Sequence, residues 1–223
     1  HPAILFVQQQ PLGTIGLAVI VVMALAAIFA PYVAPYDPLA VDYLALTAPP
    51  SWAHPLGSDQ YGRDILSRII FGARTALSVG ILSSLIGCSI GALIGATSAY
   101  FGGKIDLIIQ RLIDVLLAYP IIVLAMVVVA VLGKNVVLGV DINLVTAIAI
   151  PIVPKMARVA RSSTLSLASM PFIDAARAAG FSHTRIVLRH ILPNIVAPFL
   201  ILFTAFIAQA ILLEASLSFL GLG

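Results

Sequence analysis

Apolar runs of about 20 residues or more recur five times along the chain, at residues 12–34, 75–100, 107–132, 142–162 and 194–213. A helix rises about 1.5 Å per residue and a bilayer's hydrocarbon core is about 30 Å thick, so each run is long enough to cross it. No strand-like alternation competes with these runs, and a closed barrel would need it. The pattern predicts an all-α membrane protein. The first run is longer than the 7 to 15 apolar residues of a signal-peptide core and no Lys or Arg precedes it, so it is expected to be a retained span.

The polar positions organise the rest. Residues 35–74 are rich in Pro, Asp and aromatics and predict a substantial extramembrane loop. Its second half, residues 64–76, predicts an interfacial helix with an apolar stripe at Ile65, Ile69 and Leu77. From Lys155 to Pro193 the basic residues Lys155, Arg158, Arg161, Arg177, Arg185 and Arg189 face one acid, Asp174. Basic loops stay on the cytoplasmic side, which places this stretch inside and the 35–74 loop outside.

Within the second run Gly87, Gly91 and Gly95 recur at four-residue spacing. Small residues in that register let two helix backbones approach closely, either within the chain or against a partner subunit. Pro120, Pro151 and Pro198 each remove a backbone donor from a predicted span and predict kinks.

Composition agrees: 61% of the 223 residues are hydrophobic and 9% charged, too few charges for a water-covered surface. The one cysteine, Cys88, excludes an intrachain disulfide and reads as a small buried apolar residue. No Gly-x4-Gly-Lys-[Ser/Thr] loop is present, since Gly103-Lys104 precedes Ile105 and Gly133-Lys134 precedes Asn135. His54, His183 and His190 have no ligand spacing, so no metal site is expected. Arg111 and Asp114 are expected to pair at three-residue spacing, and with Glu214 they offer little for ion coupling at membrane depth.

The basic stretch parses as two short helices. The first starts at Ser169 and Pro171, carries Asp174 in its opening turns and ends at Gly180 as a left-handed terminator. The second starts at Ser182 and is expected to end at Pro193. Such a pair makes a compact knob, suited to a protein partner or to lying on anionic headgroups.

Asp174-Ala175-Ala176-x3-Gly180-x9 followed by His190-Ile191-Leu192-Pro193-Asn194 resembles the E-A-A loop of ABC-importer permeases, in the form found in dipeptide, oligopeptide and nickel systems. Asp174 stands where that pattern has Glu, and His190 where its general form has Ile. His54-Pro-Leu-Gly57-Ser-Asp59-Gln-Tyr-Gly62-Arg63-Asp64 resembles the outer-loop signature of the second permease of such systems, and Glu214 to Gly221 resembles a third stretch.

The resemblance implies a type I importer transmembrane domain, with a first helix at 12–34, the outer loop, and a core over 75–223 that contains a coupling loop at 164–193. It implies a chain that is no enzyme and holds no cofactor. ATP and Mg would sit on two partner ATPase subunits, alongside a second homologous permease chain and an external solute-binding protein, in a bacterial inner membrane and with no nucleic acid. Asp174, Ala175, Ala176, Arg177, Gly180, His190 and Pro193 would form the ATPase-coupling element, with Arg177 available to ATPase carboxylates. An ion-coupled secondary transporter is the alternative, and it would tolerate changes in the knob. The cargo stays open among peptides, nickel chelates, glutathione and haem-like solutes.

Overall fold

The computed structural model describes residues 9–137 and 139–222. They form two compact units, divided between Leu77 and Ser78, inside a single long helix.

In the first unit, α1 (Pro11–Ile28) opens on a proline, whose missing N–H costs nothing in a first turn. It is apolar on all sides and exposed on nearly all of them, as a helix sheathed in lipid is. The predicted first span breaks at Phe29, after which a single turn, α2 (Ala30–Val33), precedes the loop.

That loop is held by carboxylates that gather backbone donors. Asp59 accepts from the N–H groups of Tyr61 and Arg63 and pairs with the Arg63 guanidinium at 2.8 Å and that of Arg68 at 3.4 Å. Burial pushes the Asp59 carboxyl up, but the Arg63 hydrogen bonds outweigh it and hold the pKa down at about 2. Asp64 takes the N–H and hydroxyl of Ser67 at 2.8 and 2.7 Å and lies 3.0 Å from His54 Nδ1. Here too burial is outweighed, by the Ser67 and His54 hydrogen bonds, and the Asp64 pKa is lowered. Gly62 sits at φ 76°, with Asp42 O only 2.0 Å from where a Cβ would be, so no other residue fits. The signature-like stretch from His54 to Asp64 is thus a loop tied together by its own polar groups.

Asp64 caps the next helix through Ser67. The expected interfacial helix and second span are one continuous helix, α3 (Ile65–Phe101), of 37 residues. Residues 74–78 contain neither proline nor a capping glycine, so nothing stops propagation from one into the other.

In the second unit a left-handed turn at Gly102 and Gly103 leads into α4 (Gly103–Ala118). The single span expected over 107–132 is instead α4 and α5 (Ile121–Leu132), bent by 94°. Pro120 forces Tyr119 out of the helical region, to ψ 138°, and the chain turns there. A two-residue hairpin, β1 (Val136–Val137) with β2 (Val140–Asp141), leads to α6 (Ile142–Ala168). Asp141 caps α6 by accepting from the Asn143 and Leu144 N–H groups. Pro151 and Pro154 lie inside α6 without ending it, and the helix runs past the predicted boundary at 162 to Ala168.

Next comes α7 (Pro171–Ala178) and, after Gly180, α8 (His183–Ile186). The second short helix does not end at Pro193 as expected. A π turn (Val187–Ile191) and a 3-10 turn (Leu192–Ile195) carry it directly into α9 (Val196–Phe219). Changing the hydrogen-bond spacing there accommodates the donor that Pro193 lacks. Pro198 falls in the first turn of α9, where its missing N–H does little harm.

Helix α6 is the hub and packs on α4, α5 and α9. Its fully buried Ile148, Ile152 and Met156 centre a core shared with Ala92, Ala96, Phe206 and Ala210. Gly87, Gly91 and Gly95 face α6: added Cβ atoms would stand 2.8, 2.5 and 2.1 Å from the carbonyl oxygens of Ala149, Val153 and Ala157. The glycine stripe therefore serves helix contact within the chain.

Arg111 and Asp114 do not pair as expected. Asp114 reaches across to Arg158 of α6 at 2.5 Å, and eight residues earlier Asp106 takes Arg161 in a two-pronged bond of 2.8 and 2.5 Å. Nonlocal partners win because α4 lies against α6, and a guanidinium fork fits a carboxylate better across helices than along one.

Candidate functional site

The short helix α7 is amphipathic at the smallest scale. Ile173 and Ala176, three residues apart, are buried in the common core, while Asp174, Ala175, Arg177 and Ala178 are exposed. The outward face thus offers small side chains flanked by one acid and one base. They pair with each other at 3.3 Å, so Arg177 is partly engaged within the chain.

The helix ends as its sequence predicts. Gly180 adopts φ 76°, its N–H donates to Arg177 O at 3.0 Å, and the Phe181 N–H reaches back to Ala176 O at 3.1 Å. This pair of bonds is the Schellman closure, and it needs a residue without Cβ strain at the left-handed position. Ser182 then caps α8, accepting from the Arg185 N–H at 3.3 Å. The turn is reinforced by side chains: the Arg185 guanidinium lies 3.9 Å above the Phe181 ring, whose other contact is a stack on His190 at 5.8 Å.

The knob is fixed to the bundle at two levels. Ile186, Val187 and Ile191 bury themselves in the same core as Ile173. At the last turn of α3, buried Tyr100 places its hydroxyl 2.8 Å from His183 Nδ1, and the Arg177 guanidinium stands 5.3 Å from the centre of its ring. Phe101 adds a ring contact to His183 at 5.6 Å. Tyr100 and Phe101 were invisible in the sequence as parts of this site, because no local spacing connects them to residues 83 positions away.

Of the residues expected to form the coupling element, Asp174, Ala175, Arg177 and Gly180 share one exposed ridge. Ala176 is buried beneath it. His190 and Pro193 lie in the π and 3-10 turns behind the knob, where the His190 carbonyl accepts from the Asn194 amide at 2.7 Å.

Comparison with known proteins agrees with this architecture. Residues 87–223 match the model of the family described as "Binding-protein-dependent transport system inner membrane component", and residues 8–50 match the N-terminal TM domain of oligopeptide transport permease C. The chain is 38% identical, over 98% of its length and 74% of the relative's, to a dipeptide transport system permease protein of Haemophilus influenzae. It is 42% identical, over 98% of its length and 71% of the relative's, to a glutathione transport system permease protein of Pectobacterium atrosepticum. A probable D,D-dipeptide transport system permease protein of Escherichia coli K12 is 36% identical over 96% of the chain and 70% of its own length. The chain therefore belongs to the inner-membrane permease family of binding-protein-dependent ABC transport systems, as a multi-pass membrane protein with a type I importer transmembrane fold.

Proposed function

We propose that this chain is one permease of an ATP-driven importer of small peptides or similar solutes, coupled to a separate ATPase through α7. The observation that carries the reading is the two-sided character of that helix: one face is locked into the core through Ile173 and Ala176, the other is a ridge of Asp174, Ala175, Arg177 and Gly180 open to a partner. A helix docked rigidly on one side and free on the other converts the movement of whatever grips it into movement of α6 and α9.

ATP and Mg would then be bound by two ATPase subunits seated under this chain and a second homologous permease, with an external solute-binding protein delivering cargo. Relatives named for dipeptide, D,D-dipeptide and glutathione transport support short peptides as the cargo class. An ion-coupled carrier would use an acid at membrane depth to take up its ion. Asp106 and Asp114 are instead held by Arg161 and Arg158, which favours the ATP-driven reading.

The test is to replace exposed Ala175 by Asp and Gly180 by Pro, then measure co-purification of the ATPase and ATP-driven uptake. Ala175→Asp adds a second negative charge to the ridge without entering the core, and Gly180→Pro forbids the positive φ. Both variants should lose ATPase binding and uptake. Retention of both properties by both variants would sink the importer reading.

A further inference from the structure

Lys155 is the central residue of α6, a helix whose length spans a bilayer. The sequence makes it the first residue of a basic cytoplasmic stretch that overlaps the run 142–162; the structure places it about 20 Å from either end of the helix. A cation in the middle of a helix long and apolar enough to cross a membrane needs a reason to be there.

Its partners are few and neutral. Lys155 Nζ donates to Gln209 Oε1 of α9 at 3.1 Å and lies 5.9 Å from the centre of the buried Phe206 ring. Among the described residues no carboxylate lies within ion-pair distance of it. The other charges of α6, Arg158 and Arg161, are cations matched by Asp114 and Asp106. The one acid of α9, Glu214, stands about one and a half turns beyond Gln209 and takes the Ser218 hydroxyl at 2.8 Å.

Lys155 and Gln209 are both half-buried and meet at the seam between α6 and α9. Facing lipid there would be costly, whereas facing water is not. What the pair presents is all donors. Two N–H groups of the ammonium remain, and since Gln209 accepts through Oε1 its amide N–H groups are also available. An acceptor-only group, a carboxylate, is the natural complement.

We propose that Lys155, held by Gln209, is a water-facing contact in the translocation passage that takes a carboxylate of the cargo, such as the C-terminal carboxylate of a short peptide. The cargo class rests on the importer function proposed above; the position and charge of the site do not. The contact makes the passage selective for anionic ends without binding tightly, because one ammonium and one amide hold a carboxylate weakly enough to release it.

The test uses the full complex with its ATPases, partner permease and binding protein in nanodiscs, carrying Cys88→Ala to remove the native thiol. The thiol introduced by Gln209→Cys is exposed during ATP turnover to anionic sulfonatoethyl and cationic trimethylammonioethyl methanethiosulfonates, with labelling of this chain read by mass. Both reagents should react, and adding Lys155→Met should lower the anion-to-cation rate ratio about tenfold. A thiol inert to both reagents, as lipid or a partner's carboxylate covering the site would make it, or an unchanged ratio, overturns the proposal.

In proteoliposomes, uptake of dialanine is then compared with uptake of its C-terminal amide at saturating binding protein. Lys155→Met should lower the acid-to-amide ratio about fivefold and Lys155→Arg should preserve it. A loss shared equally by acid and amide overturns the carboxylate role. Failure of the unsubstituted complex to move either peptide counts against the cargo reading, while the thiol rates still decide the site.

Discussion

The hydroxyl of Tyr100, at the end of α3, lies 2.8 Å from Nδ1 of His183, at the start of α8. With the Arg177 guanidinium over the same ring, one tyrosine touches both helices of the knob. Tyr100→Phe keeps the ring and removes only the hydrogen bond, at a cost of about 1 kcal/mol. Folding and ATPase co-purification should therefore survive while cargo moved per ATP falls, measured as uptake and hydrolysis on the same proteoliposomes. An unchanged stoichiometry would remove Tyr100 from the force path.

The glycine stripe predicts a graded series. A methyl group at Gly95 would sit 2.1 Å from Ala157 O, at Gly91 2.5 Å from Val153 O and at Gly87 2.8 Å from Ala149 O. These acceptors are backbone and cannot swing away, so alanine substitution should cost about 1–3 kcal/mol, most at Gly95. Gly16→Ala meets nothing within 4 Å and is the control. Thermal unfolding in detergent gives the order; equal midpoints across the series would contradict the close approach.

The two ion pairs joining α4 to α6 should differ in worth. Asp106 is 13% exposed and also accepts from the Ser98 hydroxyl, whereas Asp114 and Arg158 are 44% and 56% exposed. Asp106→Asn leaves Arg161 without its counter-charge in the less wetted position and should cost about 1–3 kcal/mol. Asp114→Asn should cost less than about 1 kcal/mol. A larger loss for Asp114→Asn in the same melting assay would reverse the assignment.

The loop should open in acid. Asp59 and Asp64 have carboxyl pKa values lowered by folding, so they stabilise the loop at any pH above the ordinary carboxylate range, and that support is lost as pH falls towards their folded values. For Asp59 the window runs from about 4 down to about 2. Pepsin should spare residues 36–64 near the top of that window and cut them near the bottom. Asp59→Asn should be cut throughout, and wild-type-like protection of this variant would argue against Asp59 as the hub.

The membrane class and most helices were legible because lipid selects on a crude quantity, the length of an apolar run. The knob was legible because its terminators are local: Ser182 as a cap and Gly180 at positive φ act within a few residues of themselves. What escaped was nonlocal. Lys155 was read as opening a basic cytoplasmic stretch, yet α6 runs on unbroken through it and α9 supplies Gln209. Asp114 had a cation three residues away on its own helix and chose one 44 residues off, a choice only packing decides. The kink at Pro120 was expected, but not its size: hydropathy is blind to direction, and the two halves meet at 94°.

The π turn at Val187–Ile191 sets the angular phase of everything after it. That turn holds one residue more than an α turn, the 3-10 turn after it holds fewer, and the two opposed changes of winding together fix the face of α9 on which Gln209 arrives. Deleting a single residue from the π turn would leave the 3-10 turn uncompensated and swing Gln209 by about 100° away from Lys155, although neither residue was touched. Spacing in this segment is therefore under stricter constraint than side-chain identity.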